Sequence, residues 1–114
     1  MQVFHIALAS DWEAALGSGT YRVPTLGRSL DDEGFIHCSW REQVAGVRDR
    51  FYAGLDGLLV LAVDVERLAA EVRFEEVGPP DGDTDSSSEQ FPHVYGPIDV
   101  DAVVAVTPVE DFLA

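Results

Sequence analysis

The stretch GLLVLAVDV at 57–65 holds six consecutive apolar residues and shows no polar alternation. A strand with one wet face alternates with period two, so an unbroken apolar run this short reads as a central strand covered on both faces. It is the longest apolar run in the chain, far short of a membrane span. The N-terminus has neither a basic start nor the long apolar stretch of a signal peptide, so a cytoplasmic chain with no membrane partner is expected. With 114 residues, 46% of them hydrophobic, there is material for one compact core and no length for a second, so residues 1–114 are read as a single domain.

Around that strand the signals alternate between strand and helix. QVFHIAL at 2–8 reads as a strand, and SDWE at 10–13 has the form of a capping box that opens a helix running to Gly17. Residues 17–33 are rich in Gly, Pro and turn formers and read as a surface loop with short helical or extended pieces. GFIHCS at 34–39 is a short strand, followed by a second capping box, SWRE at 39–42, and a helix to about Tyr52 whose apolar face is Trp40, Val44, Val47 and Phe51. A helical turn at ERLAA (66–70) precedes EVRFEE at 71–76, which alternates as a strand with one wet face should. AVVAVTPVE at 102–110 is the last strand. Between them lies GPPDGDTDSSSEQ, 78–90, a mobile loop and candidate lid. Its Asp81, Asp83 and Asp85 mimic the start of a calcium loop, but that pattern asks for Gly and Glu where the chain has Ser86 and Pro92.

Twenty-one acidic residues against seven basic ones, all arginine, give a formal charge of −14. Generic nucleic-acid binding rests on a basic face and is excluded on this ground. A small anion held by a few arginines is not, because short-range hydrogen bonds outweigh a screened global field. Cys38 is the only cysteine. It cannot form an internal disulfide, which agrees with a reducing compartment, and it excludes a cysteine-built zinc site. As a nucleophile Cys38 would need His5 or His93, since the adjacent His37 points to the other strand face; burial as a small apolar side chain is the plainer fate.

The chain has three histidines, in VFHIAL (His5), GFIHCS (His37) and FPHVYG (His93), each set among apolar residues with polar neighbours close by, such as Ser39 and Tyr95. Either they are packing residues whose nitrogens find backbone partners, or folding brings them into one cleft. A three-histidine metal site stays as an alternative, without the close spacing of local ligand pairs, and no metal is expected.

The order of FHIA, a Tyr- and Pro-containing loop, SLDDEGFIHCSWREQV, LLVLAVDV, an acidic strand and FPHVYGPIDVDAVVAV resembles the small bacterial family called domain of unknown function 952, over nearly the whole chain. That family is thought to resemble the ADP-ribosyltransferase fold. The resemblance implies an α+β domain with a split antiparallel or mixed sheet, two or three short helices, and a cleft for NAD. By position His5 would hold a ribose and His37 would lie on the nicotinamide side, while His93 stands near the place where such enzymes carry a glutamate. Ile6 replaces the glycine that commonly follows the first-strand histidine. The expected function is therefore an enzyme acting on, or binding, NAD, ADP-ribose or a related nucleotide. His93 with Tyr95 would sit near the reacting ribose and form the catalytic set together with His37, which with His5 would position the nucleotide; Ser39, Arg22, Arg28 and Arg41 would also bind the ligand. A non-catalytic module for a small ligand or a protein partner is the alternative.

Overall fold

A computed structural model describes residues 1–23, 30–76 and 90–114. In chain order these form β1 (Gln2–Leu8), α1 (Ala9–Ser18), β2 (Thr20–Tyr21), α2 (Leu30–Glu33), β3 (Ile36–His37), α3 (Val44–Phe51), β4 (Leu58–Asp64), β5 (Glu71–Glu76), β6 (Gln90–Tyr95), β7 (Ile98–Asp99), β8 (Val103–Pro108) and α4 (Val109–Phe112). The architecture is α+β, and each pair of named strands is antiparallel. No helix among the described residues is long and apolar enough to cross a membrane.

β4 lies between β1 and β8, and its unbroken apolar run is explained by what lies on each side. Leu61 and Val63, with Val3 and Ala7 of β1, face one core cluster that includes Trp12, Tyr21, Ile36 and Val94. Leu58, Val60 and Ala62, with Phe4 and Ile6, face a second cluster built with Val44, Tyr52 and Val109. Burying an aliphatic side chain fully is worth about 1.5–3 kcal/mol, so neither face of β4 tolerates a polar residue cheaply. The last strand differs from β4. β8 is an edge strand, and Val104 and Val106 are among the exposed large apolar residues, so its β-branched composition marks a strand without marking burial.

A second three-stranded sheet, ordered β3-β6-β5, joins the first through one bridge. Phe4 donates its N–H to the Ser39 carbonyl at 2.8 Å, and Ser39 donates back to the Phe4 carbonyl at 2.7 Å. His5 ties the same seam from its side chain. Its Nδ1–H donates to the His37 carbonyl at 2.6 Å, and its Nε2 accepts from the Tyr21 hydroxyl at 3.0 Å. A carbonyl only accepts, which fixes the Nδ1–H tautomer of the neutral ring. The ring is 2% exposed. Burial pushes its pKa down to about 4, against the opposing effect of the His37 carbonyl. The same burial raises the pKa of the Tyr21 hydroxyl.

Both expected capping boxes shift. Ser10 lies inside α1, because β1 runs straight into the helix with Leu8 as the cap and no side-chain capping bond. Ser39 is spent on the bridge to Phe4, so the turn after it is capped one residue later: the Gln43 side chain accepts from the Trp40 N–H at 2.8 Å. That turn is a 3-10 helix, Arg41–Gln43, leading into α3. Of the apolar face expected there, Val44 is buried while Phe51 is 47% exposed. The expected mobile loop 78–90 lies outside the described residues apart from Gln90, the first residue of β6.

Two outcomes follow. The folded ring of His5 binds a proton only near pH 4 whereas the unfolded one does so near 6.5, so between these values the unfolded state holds more protons and stability falls as pH falls. The full effect is on the order of 3 kcal/mol. Urea melts across this range should show a steeper acid loss for wild type than for His5→Gln. Gly96 follows β6 with φ +155°, and a Cβ there would meet the Ala70 Cβ at 2.8 Å. Gly96→Ala should therefore lower unfolding free energy by about 1–3 kcal/mol, read from the same melts.

Candidate functional site

Strand alternation sorts the second sheet into two unlike faces. Ile36, Cys38 and Val94 turn into the first core cluster. Register sets His37 opposite His93, and His93 opposite Arg73, so these three share the other face. Two residues along each strand, Tyr95, Glu71 and Glu75 lie on that face as well.

The side chains there form a connected polar cluster. Glu75 Oε1 accepts from the His93 Nδ1–H at 2.9 Å and from the Tyr95 hydroxyl at 2.5 Å. His37 Nε2 hydrogen-bonds Glu33 Oε1 at 2.9 Å. The Phe35 ring sits in the middle, stacked on His93 at 4.3 Å and within 5.1 Å of the His37 and Tyr95 rings. His37 and His93 meet edge to face at 5.1 Å. Arg73 lies over the Tyr95 ring at 4.4 Å and is held by both carboxylate oxygens of Glu71.

Burial and hydrogen bonding set the protonation states. His93 is 3% exposed. Burial lowers its pKa, and the nearby His37 adds to this against the opposing pull of Glu75. The hydrogen bond from Tyr95, then that from His93, holds the Glu75 carboxyl below its ordinary range, and the same bond raises the Tyr95 hydroxyl. The remaining nitrogen of His93, Nε2, is buried and has no hydrogen-bond partner among the described residues.

Of the residues expected to form the site, His37, His93 and Tyr95 come together. His5 does not join them. It is aligned with Val3 and Ala7, which face the first core cluster, so its ring lies on the opposite side of the sheet with both nitrogens engaged. The small pocket beside it, lined in part by Asp11, Tyr21 and Tyr52, encloses about 10 Å³, room for one water. A three-histidine cleft is therefore not formed, and among the described residues no group of three His, Cys, Asp or Glu side chains is arranged to hold a metal ion. Ser39 is 5% exposed and committed to the strand bridge. Arg22 hydrogen-bonds Thr20 Oγ1 at 3.1 Å, Arg41 lies over the rings of Phe4 and Phe112, and Arg28 falls outside the described residues. Cys38 is 2% exposed and burial pushes its thiol up to about 12, which fits a packing residue and not a nucleophile.

Glu75, Arg73, Glu33 and Phe35 are the cluster members that the sequence reading passed over. The alternation of EVRFEE puts Arg73 and Glu75 on one face, and charges on such a face are ordinarily solvated; Phe74, on the face expected to be dry, is itself 43% exposed. Only the register with β6 shows that Glu75 reaches a buried imidazole.

No curated protein matches the chain. The crystal structure of protein CC0527 from Caulobacter crescentus is similar to it, with a TM-score of 0.73 and 28% identity over 95% of this chain and 85% of that one. A solution NMR structure of CC0527 is similar at a TM-score of 0.61, with 26% identity over 94% of this chain and 83% of the other. Residues 6–106 match the family described as "Protein of unknown function (DUF952)", a span that includes His37, His93, Tyr95 and the strand that carries Glu75; the chain belongs to the DUF952 family.

Proposed function

We propose that the face carrying His37, His93, Tyr95 and Glu75 binds a small nucleotide-like ligand of the NAD or ADP-ribose class and acts on it by acid–base chemistry. The observation that carries this reading is the half-used imidazole of His93: 3% exposed, one nitrogen held by Glu75, the other without a partner among the described residues. An unsatisfied buried polar atom costs about 1–3 kcal/mol, and a ligand group that completes the bond recovers that cost. A buried histidine oriented by a carboxylate is also the arrangement that general acid–base catalysis needs.

The resemblance in order and spacing to ADP-ribosyltransferase-like proteins supplies the ligand class. Enzymes of that kind often carry a glutamate where this chain has His93. Glu75 restores a carboxylate to that neighbourhood from the adjacent strand, 2.9 Å from the His93 ring, which supports the reading without requiring a residue-for-residue match.

Melting temperatures recorded with NAD, ADP-ribose and AMP test the proposal, since a ligand that prefers the folded state raises them by mass action. At least one of the three is expected to stabilise the protein. His93→Ala and Glu75→Ala should weaken that ligand by about 1–3 kcal/mol, while His5→Gln, which alters the core side of the sheet, leaves affinity per folded molecule unchanged. Absence of any shift, or wild-type affinity in both site variants, would overturn the reading. Binding without turnover would leave a recognition module in place of an enzyme.

A further inference from the structure

We infer that the ligand group seated against His93 is a hydroxyl, of a ribose or similar polyol, and not a phosphate. The inference rests on the reading that this face binds a nucleotide-like ligand, and it concerns which end of that ligand enters.

The hydrogen-bond directions decide it. Glu75 Oε1 receives two bonds, from His93 Nδ1 and from the Tyr95 hydroxyl. An ionised carboxylate has only lone pairs to offer, so Nδ1 carries the hydrogen, and a neutral imidazole has just one. Nε2 therefore presents a lone pair. Burial of the ring favours this neutral form. What completes such an atom is a donor, an O–H or N–H, whereas a phosphate monoester or diester offers acceptors.

The surrounding charges favour the same occupant. The groups around the His93 ring are Glu75, Tyr95, Arg73 and His37, with Glu33 bound to His37 and Glu71 bound to Arg73. Two carboxylates thus flank the paired histidines, at 2.9 Å from one imidazole nitrogen each. The guanidinium of Arg73 is already bidentate on Glu71. An anion seated here would meet like charge at close range, while a neutral hydroxyl meets an acceptor held in place by Glu75. Phe35 stacks on the face of the same imidazole at 4.3 Å.

Two measurements test this. Long-range proton–nitrogen NMR of the imidazoles in the free protein near pH 7 should show His93 protonated at Nδ1 and bare at Nε2; an Nε2–H tautomer or an imidazolium overturns the inference whatever binds. The second compares ADP-ribose, ADP-ribose analogues lacking one ribose hydroxyl, and inorganic pyrophosphate. Affinity for ADP-ribose should fall as acid protonates His93, one hydroxyl deletion should weaken it roughly 5- to 100-fold, and pyrophosphate should not compete. Glu75→Gln should lose affinity and flatten the pH profile.

If ADP-ribose binds but tightens in acid and is displaced by pyrophosphate, the hydroxyl assignment fails while the nucleotide reading stands. If no nucleotide binds, both fail together.

Discussion

The two half-sheets of this protein are held together at a seam two residues wide, where Phe4 and Ser39 exchange backbone hydrogen bonds and His5 caps the junction by donating to the His37 carbonyl. Much of the structure depends on this junction. It continues the β1–β4–β8 sheet into β3–β6–β5, so a single core can run beneath both, from Leu61 on β4 to Val94 on β6. It also fixes the position of the His37 backbone. A ring at the seam must both donate and accept without charge, and burial together with the Tyr21 hydroxyl meets that condition.

Polar chemistry is thereby divided between two sides of one sheet. His5 satisfies both nitrogens inside the core and stabilises the fold. His93, two strands away across the junction and nearly as buried, satisfies only one among the described residues. The difference comes from the partners. His5 meets a carbonyl and a hydroxyl that complete it, whereas His93 meets a carboxylate that takes one hydrogen and fixes the other nitrogen as an acceptor. Saturated histidines are structural by default, and half-saturated ones are where a buried site retains unused binding capacity.

The legible parts of the sequence were those governed by local rules. The unbroken run LLVLAV became β4 with a core cluster on each face, and the alternation in EVRFEE became β5 with Glu71, Arg73 and Glu75 on one side. The Ser10 and Ser39 capping boxes were misread for different reasons: β1 runs straight into α1 with Leu8 as its cap, and the bridge to Phe4 takes the Ser39 backbone, so that Trp40 becomes the cap and the Gln43 side chain accepts from its N–H. In the site, His37, His93 and Tyr95 were legible as polar residues on strands flanked by apolar ones. Arg22 and Arg41 were not separable from them by sequence, since an arginine near a loop reads alike whether it meets a ligand, a threonine or two phenylalanine rings.

By itself the sequence determined strand periodicity, the acidic surface and the identity of the titratable residues, because each is a property of a residue and its near neighbours. Which histidines meet, and through which nitrogen, was decided only by the tertiary structure. Facing in a sheet alternates with every residue, so whether His5 shares a side with His37 depends on the Phe4–Ser39 register and not on the composition of either strand. The carboxylate that orients His93 likewise lies 18 positions away in sequence. Its role exists only because antiparallel pairing sets Glu75 opposite Phe91, within reach of the next residue pair on the same face.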